Sequence, residues 1–143
     1  MAAGAGEEQN SGMSEKSVRV LIVDDQAPFR DVARLVVDLT DGFEVVGESV
    51  TGEESVEMAR TLKPDLILMD VNMPGIDGTE ATRLILAEAA EVVVLLLSTY
   101  EPAEYEPRAA EAGAAAYIPK SAFDPDRLEA AWNEATKPRS NAV

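Results

Sequence analysis

Asp24, Asp25, Asp70, Ser98 and Lys120 are the residues of this chain whose types could act together chemically. Taken singly, each has an ordinary reading. Asp24-Asp25 reads as a solvated turn, Asp70 as an acid that starts a loop, Ser98 as a strand-end hydroxyl and Lys120 as a surface lysine. Each, however, closes a short, largely apolar run: Val18 to Val23, interrupted by Arg19, leads into Asp24-Asp25, Leu66 to Met69 into Asp70, Val92 to Leu97 into Ser98, and Ala115 to Ile118 into Pro119-Lys120. Such runs are too short for helices and suit strands buried on both faces. After Asp70, the residues Pro74, Gly75 and Gly78 stop regular structure, so the acid stands where a buried strand opens into a loop. A carboxylate at that place is costly unless something requires it. If the strands lie side by side, three carboxylates, a hydroxyl and an ammonium share one edge. Carboxylates so crowded cannot all stay ionised without a cation, which makes them a ready site for a hard, oxygen-liganded metal.

Composition narrows the chemistry. The chain has no cysteine and no histidine, which excludes disulfides, thiolate catalysis, zinc held by Cys or His, and Ser-His-Asp catalysis. Any phosphoryl chemistry must therefore use a carboxylate or hydroxyl as acceptor. A net charge of -15, from 27 acidic and 12 basic side chains, disfavours nucleic acid and anionic membrane as direct partners. It favours cations or proteins with a basic docking face. The apolar runs fall far short of a membrane span and the N-terminus lacks a signal pattern, so the expected location is cytoplasmic.

The elements that must position these groups alternate along the chain. Pro28 suits a helix's first turn, with Phe29, Val32, Ala33, Val36 and Leu39 at helical spacing until Asp41-Gly42. Phe43 to Ser49 reads as the second strand. Thr51 with Glu54 is a capping-box pattern, opening a helix through Val56, Ala59 and Leu62 that stops at Lys63-Pro64. After Gly78 a third helix carries Ala81, Leu84 and Ile85 inward. Glu101 to Glu111 is the fourth helix, and Gly113 ends it. Pro107 removes a donor and clashes with the preceding turn, so this helix is expected to be short, late-starting or mobile. Asp124 caps a last helix with Pro125 at its first position and Leu128, Ala131, Trp132 and Ala135 facing the core. Strands alternating with helices predict an α/β fold, a parallel sheet covered on both faces, with polar chemistry at the carboxyl ends of its strands. Residues 1–17 read as a disordered leader, with Met13 an alternative start, residues 18–135 as one domain and residues 136–143 as a flexible tail.

The segments Val20-Leu21-Ile22-Val23-Asp24-Asp25, Asp70-Val71-Asn72-Met73-Pro74-Gly75-Ile76-Asp77-Gly78, Leu97-Ser98 and Tyr117-Ile118-Pro119-Lys120 are individually weak and jointly specific. In this order and spacing, from Val18 to Ala135, the chain resembles the receiver (CheY-like) domain of bacterial two-component response regulators. It looks closest to receivers of LuxR/NarL-type regulators through Phe43-Glu44-Val45-Val46-Gly47-Glu48. The resemblance implies a flavodoxin-like doubly wound sheet of order 2-1-3-4-5. It implies that Asp70 accepts a phosphoryl group from a phosphohistidine of a sensor kinase, so the chain is a signalling domain that promotes only its own phosphorylation and dephosphorylation. Asp25 would bind Mg²⁺ directly and Asp24 mostly through water, with Asp70 and the backbone carbonyl of Asn72 as further ligands. Ser98 would hydrogen-bond the phosphoryl group and move with it, Lys120 would ion-pair with it, and Tyr117 would swing inward as Ser98 moves. The implied partners are a sensor histidine kinase or phosphotransfer protein and a downstream protein target. The target would be reached through the face of the fourth helix, fifth strand and fifth helix, with a phosphorylation-dependent homodimer as one form of output.

Some features qualify the resemblance. Thr99 stands where the family usually has alanine, and Tyr100 follows; their bulk is expected to shield the acyl phosphate from water. Lys120 precedes Ser121 rather than the frequent proline, so the cis bond common there is not required. The stretch after the last helix carries no helix-turn-helix pattern, and the expectation is a single-domain regulator. The alternative is a receiver cut from a longer helix-turn-helix regulator. A haloacid-dehalogenase-type phosphatase also pairs an Asp nucleophile with Mg²⁺, but Asn72 occupies the second position of its Asp-x-Asp signature. A flavodoxin-like nucleotide-binding module would want a phosphate loop where Asp24-Asp25-Gln26 instead repels phosphate.

Overall fold

The computed structural model describes residues 17–99 and 102–137. The leader up to residue 16, Tyr100 with its expected shielding role, and the tail beyond Lys137 lie outside the described residues. Five strands, β1 (Val18–Val23), β2 (Phe43–Ser49), β3 (Leu66–Asp70), β4 (Val93–Ser98) and β5 (Ala116–Pro119), pair in the order β2-β1-β3-β4-β5, every pair parallel. Between and after them run α1 (Ala27–Asp38), α2 (Gly52–Leu62), α3 (Gly78–Glu88), α4 (Pro102–Ala112) and α5 (Pro125–Thr136). Chain order and spatial order part company at β1, which lies between β2 and β3. There the crossovers turn to opposite faces, the place where doubly wound sheets open a crevice at their carboxyl edge.

Period-two alternation divides the strands between two cores. Val20, Ile22, Leu66, Leu68, Leu95, Leu97 and Ile118 pack with Ala33, Val36 and Val37 of α1 and Leu128 and Ala131 of α5. Leu21, Val23, Ile67, Met69, Val94, Leu96 and Tyr117 face the other way, against Ala81 and Ile85 of α3, Ala109 of α4 and the half-buried Val56, Ala59 and Leu62 of α2. Neither face of β3 reaches water, which is why its sequence is continuously apolar instead of alternating.

Local signals explain the helix ends. The Thr51 hydroxyl accepts from the Glu54 N–H at 3.0 Å. Glu54 reaches back one residue further than a standard capping box, its carboxylate accepting from the Val50 N–H at 2.9 Å. Asp124 caps α5 by accepting from the Arg127 N–H at 2.8 Å. Gly113, at φ +99°, terminates α4 in a conformation that side chains resist.

Several expectations need correction. Val32 and Leu39 of α1 are 46% and 63% exposed and Leu84 of α3 is 41% exposed, so the apolar stripes are wider than the buried ones; Ala135 is exposed as well. β4 and β5 each begin and end one residue later than the apolar runs suggest. The fourth helix is neither short nor late. It starts at Pro102 and passes through Pro107 to Ala112, because a proline at the first helical position costs nothing and packing on β5 and α3 holds the rest. Pro107 still cannot donate a helical bond to the Ala103 carbonyl. Replacing it, Pro107→Ala, is expected to raise unfolding stability by about 2 kcal/mol, read as a higher urea midpoint at unchanged slope.

Candidate functional site

Strand register assembles the site. Val23 lies beside Met69, so the next residues, Asp24 and Asp70, stand together at the ends of adjacent central strands. Asp70 pairs with Leu97 and Ser98 with Pro119, which brings Ser98 and then Lys120 to the same edge. Asp24 and Asp70 are buried, at 1% and 5% exposure, while Asp25 is exposed. Carboxylate oxygens of Asp24, Asp25 and Asp70 all lie within 4.8 Å of one another.

One ammonium answers them. Lys120 leaves β5 in a 3-10 turn over Lys120–Ala122 and sets its Nζ 2.7 Å from Asp24 Oδ2 and 3.4 Å from Asp70 Oδ1, with the side chain only 11% exposed. A ring sits beneath it: Nζ is 4.4 Å from the centroid of Phe29. The Lys120 contact to Asp24 Oδ2 is an ion pair without hydrogen-bond geometry, leaving that oxygen buried with no hydrogen-bond partner. The other Asp24 oxygen accepts from the Gln26 N–H at 2.8 Å, and the Asp24 carbonyl accepts from Arg30 at 2.8 Å. Arg30 in turn ion-pairs with Glu48 at 3.3 Å, so its charge is already answered.

Burial, and then the charge of Asp24, push the Asp70 carboxyl up to about 6, against the opposing pull of Lys120. The donor set is all oxygen, anionic, crowded and incompletely satisfied. It fits a hard divalent cation such as Mg²⁺ and would not suit a soft one.

The expected residues fall at this edge to different degrees. Asp24, Asp25, Asp70 and Lys120 are in mutual reach, and Ser98, 1% exposed, ends the neighbouring strand. Asn72 lies exposed two residues beyond Asp70. Tyr117 is 5% exposed, its ring already within the core on the α3 and α4 side. Thr99 is exposed.

Two contributors were not visible as such in the sequence. Gly78, read only as a breaker, donates its N–H to Val71 at 2.8 Å, and a Cβ there would meet the Asp70 carbonyl at 2.2 Å. The loop returns against the phosphoacceptor candidate so closely that only glycine fits. Asp77 then caps α3, accepting from the Glu80 N–H at 2.9 Å. Phe29, read as a core residue of α1, turns its ring to Lys120. Nothing in the sequence pattern marks it as more than a core aromatic.

Residues 20–133 match the response regulator receiver domain family. The chain belongs to that family. Among curated relatives it is 45% identical to the response regulator GacA of Pseudomonas viridiflava, over 73% of this chain and 49% of that protein. To the response regulator UvrY of Escherichia coli it is 39% identical, over 73% and 48%. The chain thus spans about half the length of these relatives. Among solved structures it is similar to the response regulator domain of Thermotoga maritima CheB, with a TM-score of 0.76, 34% identity and coverage of 86% and 99%. It is also similar to the signal receiver domain of the putative response regulator NarL from Mycobacterium tuberculosis, with a TM-score of 0.79, 27% identity and coverage of 87% and 100%. This chain is therefore a receiver domain of a two-component response regulator, with the CheY-like fold.

The raised Asp70 carboxyl has a consequence for stability. The folded protein binds this proton more tightly than the unfolded chain, so the ionised form destabilises the fold. That cost is fully present above pH about 6 and disappears as pH falls toward 3.8. With divalent ions chelated, Asp70→Asn is expected to be more stable than the wild type at pH 7, because it removes the cost of ionising a buried carboxyl. Denaturant titrations at a series of pH values should show the gap closing through that window.

Proposed function

We propose that Asp70 is the phosphoacceptor of this receiver and takes its phosphoryl group from a phosphohistidine of a sensor histidine kinase or phosphotransfer protein. The reading rests above all on one observation: a buried strand-end carboxylate lies within 4.8 Å of two others and 3.4 Å from a single ammonium. In the transfer, an Asp70 carboxylate oxygen forms a bond to phosphorus. The phosphorus–nitrogen bond to the donor imidazole breaks, and its electron pair stays on the imidazole. The product is an acyl phosphate. Lys120 keeps positive charge beside Asp70 where phosphoryl oxygens accumulate, and Ser98 offers a hydroxyl from the neighbouring strand end.

Asp24, Asp25, Asp70 and the backbone carbonyl of Asn72 are the groups that would hold Mg²⁺. When bound, the ion supplies positive charge against which an anionic nucleophile and an anionic phosphoryl group can approach. Asp24 is held by the Gln26 N–H and Lys120, and Asp25, though exposed, keeps a carboxylate oxygen within 4.8 Å of Asp24 and Asp70, which suits both to metal binding beside the nucleophile.

The output is proposed to run from Ser98 through Tyr117 to the face formed by α4, β5 and α5, and to be read by a protein. Self-association through that face is one such reading. The net charge of -15 supports a protein partner over nucleic acid or membrane, and among the described residues no helix is long and apolar enough to cross a membrane.

Incubation with acetyl phosphate and Mg²⁺ followed by intact mass measurement tests the assignment. The wild type is expected to gain one hydroxylamine-labile phosphoryl group, and chelation should abolish the gain. Lys120→Met should slow it by on the order of 10²-fold. An Asp70→Asn chain that still gained the group would show the acceptor to be elsewhere.

A further inference from the structure

Lys120 is the single ammonium beside Asp70 among the described residues, and a lysine side chain has four rotatable bonds to immobilise. Two sides of its Nζ are bounded by oxygen, at 2.7 Å from Asp24 and 3.4 Å from Asp70, and a third by the Phe29 ring at 4.4 Å. We propose that Phe29 is a positioning residue that holds the Lys120 ammonium at Asp70; the role rests on the phosphoacceptor reading of that site.

The chemistry of the ring suits this task. The face of a phenyl group attracts a cation through its quadrupole, yet it carries no full charge and accepts no proton. It confines the ammonium without competing with the oxygens that the ammonium must meet. A carboxylate in the same place would neutralise Lys120, and an aliphatic side chain would fill space without attracting it. Asp24 and Asp70 are also the groups a divalent cation would draw upon, so their hold on Lys120 weakens when the site is loaded. The ring contact is independent of that competition.

Phe29 is itself fixed. It follows Pro28 in the first turn of α1 and is half-buried against Phe123, with ring centroids 6.4 Å apart and planes tilted by 44°. Phe123 is buried, and its N–H donates to the Lys120 carbonyl at 3.3 Å. Backbone, two rings and ammonium therefore close a circuit: Lys120 to Phe123 by hydrogen bond, Phe123 to Phe29 by ring packing, and Phe29 back to Lys120 through its face. Glycine-free and short, the turn over Lys120–Ala122 gives the lysine backbone little room to depart from that circuit.

The alternative is that Phe29 only fills the gap between α1 and this turn. Labelling rates with phosphoramidate and Mg²⁺, together with proton NMR of the Lys120 side chain, separate the two. Phe29→Leu keeps apolar bulk and removes the ring face. It should slow labelling about tenfold, and should move the Lys120 side-chain protons downfield as the ring current is lost. Phe29→Tyr should restore both to near wild type. Phe29→pentafluorophenylalanine preserves shape and reverses the charge of the ring face, so it should slow labelling at least as much as leucine while the fold stays intact. In a Lys120→Met background, Phe29→Leu should produce no further slowing. Wild-type rates in the leucine and pentafluoro variants, or an equal slowing with Lys120 already removed, would overturn the proposal. A wild-type chain that takes no phosphoryl group from phosphoramidate would overturn the phosphoacceptor reading, and this role with it.

Discussion

Charge crowding at the carboxyl edge of the sheet is the constraint on which the rest of this structure depends. Carboxylate oxygens of three aspartates lie within 4.8 Å of one another, with Lys120 the one ammonium beside them among the described residues. Two like charges about 4 Å apart repel by about 4 kcal/mol even at an effective dielectric constant of about 20. The protein responds in part by raising the Asp70 carboxyl to about 6 and in part by burying Lys120 between Asp24 and Asp70. Neither response balances the edge. The remaining negative charge is what a hard cation would offset, and under the proposed function that cation together with Lys120 would let an anionic phosphoryl group approach Asp70.

Holding that crowd together requires an unusually stiff frame. β1, β3 and β4 are buried on both faces, their side chains divided between two cores, so the carboxylates that end β1 and β3 and the Ser98 hydroxyl that ends β4 cannot move away by local fraying. Gly78 presses the returning loop onto the backbone of Asp70, and Arg30 of α1, paired with Glu48 of β2, pins the Asp24 carbonyl. These contacts touch backbone, not reactive oxygens. They fix where the carboxylates stand and leave their charge unspent.

Much of this was legible in the chain itself. Apolar runs that end on polar residues located the edge, and turn residues after Asp70 showed that it opens into a loop. The α/β order followed from the alternation, and the resemblance supplied the strand order that register now confirms. What escaped was three-dimensional. Nothing in a one-dimensional pattern distinguishes Gly78 as a steric necessity from any loop glycine, or Phe29 as a lysine partner from a core aromatic. The exposed Val32, Leu39 and Leu84 were misplaced because helical spacing reports a stripe and not its width. Pro107 neither shortens nor delays α4, because packing on β5 and α3 can outweigh a local penalty.

The central claim is that unbalanced carboxylates, not an incidental acidic surface, define the site. Unfolding free energy measured against Mg²⁺ concentration tests it most directly. The account predicts saturable stabilisation for the wild type, about 2.7 kcal/mol at a hundredfold excess over the dissociation constant. It predicts that most of the gain is lost in Asp25→Asn, whose exposed side chain contributes little else to the fold. Stability independent of Mg²⁺, or an equal rise in both proteins, would contradict it.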